Sequence, residues 1–128
     1  MMRKMNRNEI ETEISNVMRR FLHEQLGEPV GEISTELNRG TIMVRLKNVL
    51  SPAEKNLARV EGGKKMIKEF KEKLIERSRP LLESMVKNLT GAEIVDIHSS
   101  FNPDSAERVE IFILSKNTDD LFNSSIDT

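Results

Sequence analysis

The stretch ISTELNRGTIMVRLKNVLSPAE, Ile33 to Glu54, changes its hydrophobic period within a few residues. Ile33, Thr35 and Leu37 alternate with Glu32, Ser34 and Glu36, and Ile42, Val44 and Leu46 alternate with Met43, Arg45 and Lys47. A period of two belongs to half-buried strands. Asn38-Arg39-Gly40 lies between the runs and offers a glycine for a left-handed turn, so the two runs read as a β-hairpin. Ser51, Pro52 and Glu54 then fill the N-cap, N1 and N3 positions of a helix start. Such a cap contributes about 1 kcal/mol.

Working outward towards the C-terminus, Ala53, Leu57 and Val60 make a short apolar face that ends at Gly62-Gly63. Each glycine costs about 1 kcal/mol inside a helix, so the pair reads as a turn. Ile67, Phe70, Leu74, Ser78, Leu81, Met85 and Leu89 resume a helical period, flanked by Met66, Ile75, Leu82 and Val86. Pro80 removes a donor within that run, and because the stripe keeps its phase a kink near Arg77 to Pro80 is expected, with a complete break as the alternative. Past Gly91, Val95, Ile97, Ser99 and Phe101 alternate with Ile94, Asp96, His98 and Ser100. After the NPDSAE turn, Val109, Ile111 and Ile113 alternate with Arg108, Glu110 and Phe112, which makes a second hairpin.

Upstream, Ile10, Ile14, Val17, Met18, Phe21, Leu22 and Leu26 form one apolar helical stripe. Asn8 with Glu11 predicts its capping box, and Gly27 and Pro29 predict its end. The predicted fold is α+β, a two-layer sandwich in the order α-ββ-α-α-ββ, with helices on one face of a four-stranded antiparallel sheet. The domain is expected over residues 8–115, with a flexible N-terminus at 1–7 and a disordered acidic tail at 116–128.

The 128 residues suit one core, and 20 Lys and Arg against 21 Asp and Glu give a net charge of -1. That balance supplies no global attraction to nucleic acid or anionic lipid. KKMIKEFKEK is basic, but its glutamates interleave at helical spacing and read as intrahelical ion pairs. With five Phe and no Tyr or Trp, stacking platforms are scarce, so no nucleic-acid partner is expected. The absence of cysteine excludes disulfides and thiolate chemistry and fits a reducing cytoplasm, the expected location. No run approaches the roughly 20 apolar residues of a membrane span, so direct insertion is not expected.

The open face of the predicted sheet carries Met43, Arg45, Lys47, Glu110 and Phe112, with Asp96 and His98 or their neighbours. Opposite charges on neighbouring strands account for much of it as ordinary cross-strand pairing. Met43 and Phe112 among those charges suggest a surface that a homodimer, made through the sheets, or a docked partner would cover. Met43, Arg45, Lys47, Asp96, His98 and Phe112 are therefore the candidate ligand or partner surface. Gly62, Gly63, Lys64 and Lys65 open a helix with two lysines and form a candidate anion site, although they do not fit a phosphate-binding loop. His23 reads as a surface residue. Two histidines without a third ligand make no metal site, and no nucleophile, base and orienting group is legible, so no cofactor is assigned and the reading leans away from an enzyme.

GTIMVRLKNVLSPAEKNLA (Gly40 to Ala58) and RPLLESMVKNLTGAEIVDIHSSFNPDSAERVEIFIL (Arg79 to Leu114) resemble the small proteins of the Na+-translocating membrane-potential-generating system, C-component (MpsC) family. The resemblance rests on Val49-Leu50 followed by Ser51-Pro52-x-Glu54, on Arg79-Pro80, on Leu89-Thr90-Gly91 and on Asn102-Pro103, and runs from about Ile10 to Leu114. It implies an accessory or regulatory role in a bacterial membrane-potential or inorganic-carbon uptake system. The membrane-embedded component of a transporter is then the expected partner, and no catalytic residue carries over.

Overall fold

Asparagine starts the first helix, but two residues earlier than the Asn8 and Glu11 spacing predicts. Asn6 Oδ1 accepts from the Glu9 N–H at 2.8 Å, and the Asn6 N–H donates to Glu9 Oε1 at 3.2 Å. The earlier start lets Met5, just before the cap, join Ile10 in the core, the arrangement of a hydrophobic staple. Helix α1 spans Arg7–Leu26 and ends on Gly27 at φ 63. The next N–H, of Glu28, reaches back to the Leu22 carbonyl at 3.0 Å and turns the Glu28 side chain inward, where only 3% of the residue is exposed. The structure, a computed structural model, describes residues 5–118. The expectations for residues 1–4 and 119–128 lie outside the described residues.

Strands β1 (Ile33–Asn38) and β2 (Thr41–Leu46) form the predicted hairpin, with Thr35 opposite Val44 and Leu37 opposite Ile42. The left-handed turn residue is Arg39 at φ 51, not Gly40. Gly40 is needed for proximity instead: a Cβ there would stand 3.1 Å from the Lys116 carbonyl oxygen. Helix α2 (Pro52–Leu57) has both arms of its capping box, Glu54 N–H to Ser51 Oγ at 3.2 Å and Ser51 N–H to Glu54 Oε1 at 2.9 Å. The predicted glycine turn follows, with Gly62 at φ 78.

The long helix is two helices, α3 (Gly63–Arg77) and α4 (Arg79–Thr90), separated at Ser78. The expected kink is a break because Pro80 cannot donate to Glu76, and Ser78 closes the end of α3 through its own hydroxyl, donated to the Leu74 carbonyl at 2.7 Å. Pro80 then occupies the first turn of α4, where its missing N–H costs little.

Strands β3 (Ile94–Asn102) and β4 (Glu107–Leu114) complete an antiparallel sheet of order β1-β2-β4-β3. The α+β class, the element order and the four-stranded antiparallel sheet are as predicted. The helices lie on the face bearing Leu37, Ile42, Val44, Leu46 and Phe112, which join Ile14, Met18, Leu22, Ile67, Ile75, Leu82 and Val86 in one core. A bulge at Val95 shifts the register between Ile94 and Asp96 and leaves Val95 exposed.

The glycine pair provides a stability test. A Cβ on Gly63 would lie 1.8 Å from the Leu57 carbonyl oxygen, whereas Gly62 faces open space. Gly63→Ala should cost more than about 3 kcal/mol in chemical denaturation, because backbone must move. Gly62→Ala should cost about 1 kcal/mol, from its positive φ alone.

Candidate functional site

Directly opposed residues of an antiparallel pair share a face, so the register decides which predicted residues meet. Met43 pairs with Ile111, and Ile111 with His98; Arg45 pairs with Val109, and Val109 with Ser100; Ile113 pairs with Thr41 and Asp96. The face away from the helices therefore carries Met43, Arg45, Asp96 and His98 as expected, but around Val109, Ile111 and Ile113. Phe112 is not there. It is fully buried in the core, and Glu110, also assigned to the open face, is fully buried with it. The open face gains a central apolar stripe, half-buried among its neighbours, that replaces the Phe112 contribution.

The charged candidates divide by strand. His98 Nε2 lies 3.2 Å from Asp96 Oδ2, an exposed pair on edge strand β3. Lys47 lies 3.7 Å from Glu32 near the opposite edge. There Arg45 and Lys47 line an open hollow of about 490 Å³ with Arg19, Ser34 and Glu32. Since β4 separates β2 from β3, His98 stands roughly 10 Å from this hollow and does not join it. At the Gly62–Lys65 turn, Gly63 packs on the α2 end and Lys64 forms an ion pair with Asp104 in the β3–β4 turn. Lys65 remains exposed.

The reversal of β4 follows from a buried ionic cluster. Arg108 on β4 donates to Glu28 Oε1 at 2.8 Å and to Glu110 Oε1 at 3.1 Å. Lys71 on α3 donates to the same Glu28 oxygen at 2.9 Å and to the Val49 carbonyl at 3.0 Å, and pairs with Glu54 Oε2 at 3.2 Å. Phe101 on β3 packs against both cations, its centroid 5.5 Å from Lys71 Nζ and 5.8 Å from Arg108 Cζ. Ser99 donates to Glu110 Oε2, and Ser99 is itself exposed at the sheet edge. Glu28 Oε2 and Arg108 Nε are buried without a hydrogen-bond partner among the described residues.

Sequence reasoning missed this cluster. Lys71 was expected to pair along its own helix, yet its partners come from the loop after α1 and from α2. One signal was present: Lys71 stands four residues from both Ile67 and Ile75, in the middle of the stripe that packs on the sheet. Nothing comparable marks Arg108 and Glu110, because both phases of β4 carry large apolar residues. Among the described residues no group of three or more His, Cys, Asp or Glu is placed to hold a metal ion.

The family model described as the Na+-translocating membrane potential-generating system (MpsC) matches residues 6–116. The chain belongs to this family. It is also similar to the uncharacterized protein YbcI of Bacillus subtilis (strain 168), with 29% identity over 111 residues, covering 87% of this chain and 90% of the relative. No solved structure matches the chain. The match of the MpsC model includes both the open sheet face and every member of the buried cluster.

In this MpsC protein two cations, Lys71 and Arg108, meet three carboxylates, Glu28, Glu54 and Glu110. Burial pushes the Glu110 carboxyl above its ordinary 4.5, the charge of Glu28 adds to this, and Arg108 and Ser99 only partly oppose it. A proton on Glu110 leaves two cations facing two carboxylates. Burial also works to raise Glu54, but the Ser51 N–H and Lys71 outweigh it and hold Glu54 below 4.5.

These directions set opposite pH dependences. A raised folded value makes the Glu110 contribution complete below pH 4.5 and lost as pH rises through that value. Glu110→Gln should therefore gain on the wild type in urea melts as pH rises from 4.5 upward. The Glu54 contribution is present above pH 4.5 and lost as pH falls through its depressed value, so Glu54→Gln should cost more at pH 7 than at pH 3. Lys71→Met, which removes the cation beside Glu54 and one of the two beside Glu28, should cost about 3–5 kcal/mol at neutral pH.

Proposed function

We propose that this chain is a non-enzymatic, cytoplasmic accessory protein of a bacterial membrane-potential-generating or inorganic-carbon uptake system, and that its open sheet face meets a membrane-embedded component. The MpsC match over residues 6–116 supports the system. The surface is supported by one observation: Met43, Val109, Ile111 and Ile113 meet across two central strands on the face that the chain's own helices leave uncovered. An apolar centre with a charged border, here Arg45 on one side and the Asp96–His98 pair on the other, is the usual anatomy of a protein interface. No described helix is long and apolar enough to cross a membrane, which makes contact with another chain the simplest route to influence over transport.

A strain lacking this chain should show a reduced membrane potential with a voltage-sensitive dye, and the wild-type chain should restore it. Met43→Glu and Ile111→Glu, folded by circular dichroism, should fail to restore it and fail to co-purify with the co-expressed membrane component. Full restoration by both variants would remove the sheet face from the reading.

The hollow beside Arg19, Arg45 and Lys47 supports a second reading, a module for a small anion such as bicarbonate or phosphate, or for a nucleotide. A native-state ligand raises apparent stability. Thermal-shift titration should then show a rise with one of these anions that Arg45→Ala abolishes. A flat response across all of them rejects this second reading.

A further inference from the structure

The sheet side of α3 is closed by the burial of Ile67, Lys71 and Ile75, but one flank is not. Met66, Phe70 and Leu74 recur every four residues and so form one stripe. Met66 is 58% exposed and Phe70 56%, and beyond the break at Ser78 Leu81 is 49% exposed. Beside this ridge, between α1 and α3–α4, runs an open groove of about 640 Å³ lined by Phe21, Leu26, Leu74 and Leu81, with Arg77 at its rim. A second hollow of about 310 Å³ shares Phe21 and Leu81 and extends the groove along α1 past Arg20 and Glu24.

We propose that this helical face binds a second copy of the chain, the ridge of each copy filling the groove of the other about a twofold axis. Such an interface uses one patch twice, so it requires convex and concave features side by side, as found here. The rim carries both signs, Arg20 and Arg77 with Glu24, so a copy turned over brings opposite charges together. The size is also suitable. The 20-residue α1 is about 30 Å long, and two adjacent helices of about 10 Å diameter offer roughly 600 Å² before side-chain relief. A standard interface buries roughly 800 Å² per partner.

This inference is independent of the sheet-face reading, and the same variants separate the two. Light scattering after size exclusion should give the mass of two chains for the wild type. Phe70→Glu and Leu81→Glu, at exposed positions, should shift the mass to one chain or weaken dimerisation at least about tenfold, with the circular dichroism of a folded chain. Met66→Lys provides the same reading if either fails to fold. Met43→Glu and Ile111→Glu should stay dimeric. A wild type that is monomeric up to about 0.1 mM overturns the proposal. So does a dimer that survives the helix-face variants, or one that dissociates on the sheet-face variants.

Discussion

Arg108 and Lys71 share one carboxylate oxygen of Glu28 inside the protein, and the packing of β4, α3 and the end of α1 follows from that bond set. Arg108 points inward from β4, Lys71 points down from α3, and Glu28 arrives from the turn that closes α1. Removing charges from water costs several kcal/mol per ion, so neither cation can be buried alone. Together with Glu110, Glu54 and the Val49 carbonyl they satisfy most of each other's bonding capacity. The cluster thus fixes which way β4 faces and where α3 sits along it. Its value is orientation more than net stability, since well-packed apolar residues can stabilise a core as much as a buried ion network does.

A consequence appears on the other side of the sheet. When Arg108, Glu110 and Phe112 turn inward, Val109, Ile111 and Ile113 must turn outward, because successive residues of a strand alternate. The polar cost accepted in the core is matched by an apolar stripe on the open face. That stripe lies against Met43 and is bordered by charged residues on both flanking strands. The apolar stripe of the open face is therefore a by-product of the internal ion network. The helical layer has its own unfilled surface, because Met66 and Phe70 on one flank of α3 are left exposed.

Local chemistry was well represented in the sequence wherever near neighbours settle the outcome. Ser51, Pro52 and Glu54 formed the capping box they announced, Gly27 and Gly91 closed their helices in the left-handed region, and both hairpins formed. The misreadings have a common source. Asn6-x-x-Glu9 and Asn8-x-x-Glu11 are equally good boxes by spacing, and tertiary contacts favour the first: Met5 packs against the core, and Glu11 Oε2 accepts instead from the Leu37 N–H at 2.7 Å. Phe70 looked like a core residue from its spacing, but the inward line of α3 runs through Ile67, Lys71 and Ile75. Asp96 and His98 were correctly placed on one strand face, yet whether Arg45 reached them depended on β4 lying between.

By itself the sequence determined the period of each element, most of the element ends, the antiparallel hairpins and the α+β order, since these depend on interactions a few residues long. Tertiary structure alone decided the phase of β4 and the burial of Lys71. The physical reason is that a buried charge is tolerable only beside its partner, and the partners here, Glu28 and Arg108, are 80 positions apart in the chain.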